Sequence, residues 1–80
     1  MRKLDPLLHS QLRLAIVSLL LSVETADFVY LKEKTNATAG NLSVQLEKLE
    51  TAGYIQVKKE FVGKKTRTSC QLTDTGRKAL

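Results

Sequence analysis

Eighty residues, 42% hydrophobic and 26% charged, are the make-up of one small folded domain with a single core, and not of a disordered tail. Thirteen Lys and Arg against eight Asp and Glu give a net charge of +5, while one cysteine and one histidine exclude an intramolecular disulfide and a four-ligand Cys/His zinc set. The longest apolar run, Leu14 to Leu21, is interrupted by Ser18 and falls well short of the ~20 residues that a membrane-spanning helix needs. Asp5, Pro6, His9 and Arg13 break up any signal-peptide core. The expectation is a cytoplasmic protein with no membrane partner, no metal and no cofactor.

After Asp5-Pro6 a helical pattern runs from about Leu7 to Ser22, with Leu12, Ile16, Leu19 and Val23 at helical spacing as the expected core face. A second stripe, Leu14, Val17 and Leu21, makes this helix apolar over a wider arc than a lone surface helix needs, so these three are candidates for a dimer interface. So short a chain buries only about 60% of its unfolded surface, which makes a second subunit useful. Ser22 to Thr25 reads as a break, after which Thr25 or Asp27 caps a short helix carrying Phe28 and Leu31 inward and ending near Lys34. Thr35-Asn36-Ala37 reads as a tight turn, because Asn tolerates left-handed backbone angles.

Thr38 is the next capping candidate, and Leu42, Leu46 and Leu49 then recur at i, i+4 and i+7 in a helix from Ala39 to Ala52 that stops at Gly53. Beyond Gly53 the period changes to two. Ile55, Val57 and Phe61 share one side of a strand, Val62-Gly63-Lys64-Lys65 turns it, and Thr66, Thr68, Cys70 and Leu72 alternate on the return. Thr73 or Asp74 then caps the start of a last helix.

Charge is divided along the chain. Up to Gly53 there are six basic and six acidic residues, whereas the stretch from Tyr54 carries seven basic and two acidic ones, and so the whole +5. A basic hairpin on a neutral body suits a polyanion; the alternative is a solvated surface kept soluble by lysine.

Two short helices joined by a tight turn and followed by a two-stranded hairpin with a basic tip form a winged helix-turn-helix layout, α+β in class: a three-helix core, a β wing and the start of a C-terminal helix. The segment from Leu42 to Ile55 resembles the second-helix signature of bacterial and archaeal regulators of the MarR and ArsR kinds, and Leu72-Thr73-Asp74-Thr75-Gly76 resembles their post-wing segment. With Phe28-Val29-Tyr30-Leu31 included, the resemblance spans nearly the whole chain and is nearest to small stand-alone winged-helix proteins. It implies a homodimer that binds an operator duplex and regulates transcription, with residues 39–52 as the recognition helix. This chain departs from the pattern at Gln45, often a histidine in such proteins, and in its C-terminal helix, which is barely started.

On a helical wheel Leu42, Leu46 and Leu49 define the buried side of that helix, and Gly40, Asn41, Val44, Glu47, Lys48 and Thr51 point away. Asn41 offers a donor and an acceptor to a base edge, Ser43 is a flexible donor and acceptor, Val44 suits a thymine methyl and Gln45 reaches a base or a phosphate. Gly40 allows close backbone approach, and Thr38 caps the helix while leaving its amino end to meet a phosphate. On the hairpin, Lys58, Lys59, Lys64, Lys65 and Arg67 are the expected phosphate contacts, with Lys65 or Arg67 reaching toward the minor groove.

Other signals fail. Gly63-Lys64-Lys65-Thr66 lacks the first glycine and the Ser/Thr placement of a phosphate loop, and Asn36-Ala37-Thr38 and Asn41-Leu42-Ser43 are glycosylation sequons without a secretory signal. No nucleophile and base pair up, so an enzyme is not expected. Cys70 falls among inward residues of its strand; a redox-sensing thiol would require exposure and a lowered pKa. The rival function is a winged helix used as a protein-interaction module, but no aromatic anchor occurs between Thr35 and Gly53. RNA binding is weakened by the same absence of stacking residues on that helix.

Overall fold

The structure, a computed structural model, describes residues 10–79. The elements in chain order are α1 (Gln11–Leu21), β1 (Ala26–Asp27), α2 (Phe28–Thr35), α3 (Ala39–Thr51), β2 (Ile55–Val62), β3 (Lys65–Leu72) and α4 (Asp74–Lys78). Three helices pack on one face of an antiparallel sheet of order β1-β3-β2. This is the expected winged-helix layout with one element added. The two-residue strand β1 pairs Ala26 with Cys70 and Asp27 with Ser69, making β3 the central strand. Two residues are too short to show a period of two, so β1 has no pattern in the sequence.

Each helix starts where a side-chain oxygen satisfies an otherwise orphaned backbone N–H. Asp27 accepts from Tyr30 N at 2.8 Å, Thr38 from Asn41 N at 3.1 Å and Thr73 from Gly76 N at 3.0 Å. At α1 the cap is Ser10, whose backbone is extended (φ −72°, ψ 129°), and the helix runs from Gln11. Leu7, Leu8 and His9 lie outside the described residues. Asn36 ends α2 in the left-handed region at φ 56°, as its residue type led one to expect.

The end of α3 is a Schellman motif. Gly53, at φ 81°, donates to Glu50 O at 2.9 Å and Tyr54 donates to Leu49 O at 3.0 Å, which turns the chain directly into β2. From Ile55↔Leu72 to Val62↔Lys65 the hairpin keeps an unbroken register closed by Gly63-Lys64. Gly63 has φ 66°, the conformation that a two-residue turn of type II′ demands at its first central position.

The core is built from Ile16, Val17 and Leu20 of α1, Leu31 of α2, Leu42, Leu46 and Leu49 of α3, and Ala26, Ile55, Cys70 and Leu72 of the sheet. Two expectations for α1 need correction. Val17 is fully buried in the chain's own core and leaves no surface for a second subunit. The buried arc of α1 lies between the two apolar stripes, centred on Ile16, Val17 and Leu20, so Leu12, Leu19 and Val23 flank it on one side and Leu14 and Leu21 on the other. Phe61 shares the face of Ile55 and Val57 but stands beyond the end of the helical layer, and is 83% exposed.

Candidate nucleic-acid interface

The first two turns of α3 present a short polar surface. Leu42 and Leu46 anchor the helix from below, while Thr38, Gly40, Asn41 and Ser43 are exposed and Val44 is 47% exposed. Gln45 sits at the border, half-buried. Its amide oxygen accepts from Arg13 Nη1 of α1 at 2.6 Å, and its amide nitrogen donates to Asn41 Oδ1 at 3.0 Å. Lys48 is exposed one turn further on, between Glu47 and Leu49, and the glutamates at 47 and 50 make the second half of the helix less favourable to a polyanion than the first.

Arg13 belongs to this site although it lies on α1, away from the polar pattern of α3. The signal was available: Arg13, Ile16, Val17 and Leu20 fall at i, i+3, i+4 and i+7, so Arg13 stands on the buried arc of α1, at the end where α3 passes.

The sheet register divides the wing cations. Lys58, Glu60 and Arg67 lie on one face, where Lys58 pairs with Glu60 at 3.6 Å and Arg67 Nη2 pairs with Asp27 Oδ2 at 3.3 Å. Lys59 lies on the opposite, helix-bearing face and lines a cleft of about 420 Å³ with Ser43, Glu47 and Thr68. Lys64 and Lys65 form the tip. The ammonium groups of Lys59, Lys64 and Lys65 have no acidic partner among the described residues. The structure thus brings Ser43 and Lys59 to one cleft, and holds Arg67 back against the start of α2.

The post-wing segment has a mechanical role. Thr73 Oγ1 donates to Gly53 O at 2.6 Å, Thr73 N donates to Tyr54 O at 3.0 Å, and buried Gly76 lies against the Tyr54 carbonyl. These contacts fasten the end of α3 to α4. Cys70 is 1% exposed, and burial, with Glu50 adding a smaller repulsion, pushes its thiol up to about 11. That is opposite to the lowered pKa of a redox sensor. Among the described residues, no cluster of His, Cys, Asp and Glu is arranged to hold a metal ion, and no helix is long and apolar enough to cross a membrane.

A three-helix layer, a helix with an exposed polar face and a basic hairpin define a winged helix domain. Residues 12–80 match the family of winged helix DNA-binding domains, and the chain belongs to that family. It is 40% identical over 72 residues to an uncharacterised protein of Methanocaldococcus jannaschii, a match covering 90% of this chain and 78% of that protein. Among solved structures it is similar to the transcriptional regulator homologue protein from Pyrococcus horikoshii OT3, with a TM-score of 0.81 and 29% identity, over 90% of this chain and 71% of that one.

Proposed function

We propose that this DNA-binding domain is a sequence-specific transcription regulator of MarR/ArsR type, from a prokaryote, that acts on double-stranded DNA as a homodimer. The first two turns of α3, with Thr38, Gly40, Asn41, Ser43, Val44 and Gln45, enter the major groove, and Lys48 approaches the backbone. Lys59, Lys64 and Lys65 neutralise phosphates beside it, with Lys65 at the minor groove. Lys58 and Arg67 contribute field rather than contacts, since each already faces an acid. The reading rests on one observation above the others: Ser43, from the exposed polar turns of α3, and the unpaired lysine Lys59 of the wing line a single cleft. The dimer contact falls on the outer arc of α1, where Leu21 is 49% exposed and Leu14 is half-buried.

The test is binding to random-sequence duplex DNA across a salt series, with solution mass recorded and enriched sequences recovered. The expected result is a steep salt dependence, a dimeric mass and a palindromic site with half-sites about one helical turn, roughly 34 Å, apart. Weak binding without an enriched sequence would overturn it in favour of a protein-interaction module, for which Phe61 and Val62, 83% and 58% exposed, would be the anchors.

A further inference from the structure

The relay from α1 to α3 has a chemical polarity. Arg13 is a donor only, so the atom of Gln45 facing it at 2.6 Å must be the amide oxygen. The other end of the Gln45 amide is then NH2, also a donor, and the atom of Asn41 that meets it at 3.0 Å must be Oδ1. The Asn41 amide is thereby oriented with its NH2 end turned away from Gln45. A free asparagine can flip its amide and serve a donor or an acceptor; this one is set by a guanidinium two steps away in the network, through Gln45, which lies 32 residues from Arg13 in the sequence.

We infer that Arg13 is a positioning residue for base selection: acting through Gln45, it makes Asn41 a hydrogen-bond donor toward the major groove. This rests on the reading of α3 as the groove helix. In the major groove guanine and thymine present acceptors at O6 and O4, whereas cytosine presents only its N4 amino donor. A donor-oriented Asn41 therefore selects guanine or thymine over cytosine at the base it meets. Adenine carries both kinds of group and does not discriminate.

The variant Gln45→Glu reverses the relay without removing it. One oxygen of the new carboxylate accepts from Arg13, the other requires a donor, and the Asn41 amide flips to supply its NH2, turning Oδ1 outward. The unaltered chain and its variants are each challenged with a randomised duplex library, and base ratios at every position of the enriched site are compared. Asn41→Ala identifies the position, by flattening it. There the unaltered protein is expected to favour guanine or thymine over cytosine by about tenfold, and Gln45→Glu to favour cytosine by a similar ratio. Ratios are read rather than affinity because the added negative charge weakens binding to all sequences.

Arg13→Met, which frees Gln45, is expected to bring the ratio toward one, and Arg13→Lys, which keeps a donor, to restore it. Melting temperatures establish that each variant is folded, and the two Arg13 variants decide the matter if Gln45→Glu does not fold. An unchanged preference in Gln45→Glu or Arg13→Met, cytosine favoured by the unaltered protein, or no position flattened by Asn41→Ala would each overturn the relay while DNA recognition stands. Absence of any enriched site for the unaltered protein would overturn the groove reading itself, and the relay with it.

Discussion

Two glycines show how different reasons produce the same residue. A Cβ on Gly40 would meet nothing within 4 Å, so the fold does not need a glycine there, and Gly40→Ala should raise stability by about 0.5 kcal/mol through helix propensity. If close approach to DNA is what Gly40 supplies, that same variant binds the enriched duplex more weakly although it melts higher, a pair of opposite shifts measurable on one sample. A Cβ on Gly76 would collide with the Tyr54 carbonyl oxygen and come within 2.7 Å of Leu72 Cδ1, and a backbone atom cannot move aside. Gly76→Ala should therefore cost about 2 kcal/mol in urea unfolding. Cys70 gives a third expectation. Its thiol is held protonated up to about 11 against an ordinary 9.0, so the folded state binds the proton more tightly than the unfolded one. That contribution is intact below pH 9 and is lost as pH rises from about 9 toward 11, a decline that Cys70→Ala should flatten in urea midpoints. At pH 8, alkylation of the folded protein should run roughly a hundredfold slower than that of a free thiol.

Elements with their own punctuation were legible before the structure. Asn36, Thr38, Gly53 and Thr73 mark helix ends by local chemistry, and each occupies the place that chemistry assigns. What escaped was set by neighbours. The two stripes of α1 are both apolar, and only the position of α3 and the sheet decides that the arc between them, with Val17, turns inward. The role of Arg13 is not legible in the sequence because a charged residue on a buried arc reads as an interruption until a polar partner stands opposite it. Asp27 likewise shows one role of three: it caps α2, its carboxylate also holds Arg67, and its backbone in β1 pairs with Ser69 of β3. The roles are separable. Asp27→Asn keeps the capping oxygen and loses only a solvent-screened ion pair, so its melting curve should move little, whereas Asp27→Ala loses the cap and should cost about 1 kcal/mol.

For the molecule as a whole, the net positive charge is concentrated on the hairpin, and its three unpaired lysines reside at the tip and on the helix-bearing face. Replacing Lys64 and Lys65 together with Ala should weaken binding about equally for all sequences and reduce the slope of log K against log salt by roughly 1 to 2. An unchanged slope would remove the wing tip from the interface. The proposed self-association belongs to the same scale: Leu21→Glu, on an exposed position of α1, should leave the melting curve intact and, where the proposed dimer forms, lower the solution mass to that of a monomer. The pairing of β3 sets a further behaviour. Its strand has a neighbour on both sides only at Ser69 and Cys70, and a single neighbour from there to the turn at Gly63. Amide hydrogen exchange should accordingly be slowest at the root of the hairpin and quicken rung by rung toward Val62 and Lys65, because the outer rungs can part without disturbing the core. The tip would then be able to breathe on a timescale much shorter than global unfolding, adjusting its backbone to duplexes of differing groove width while the helices keep their setting.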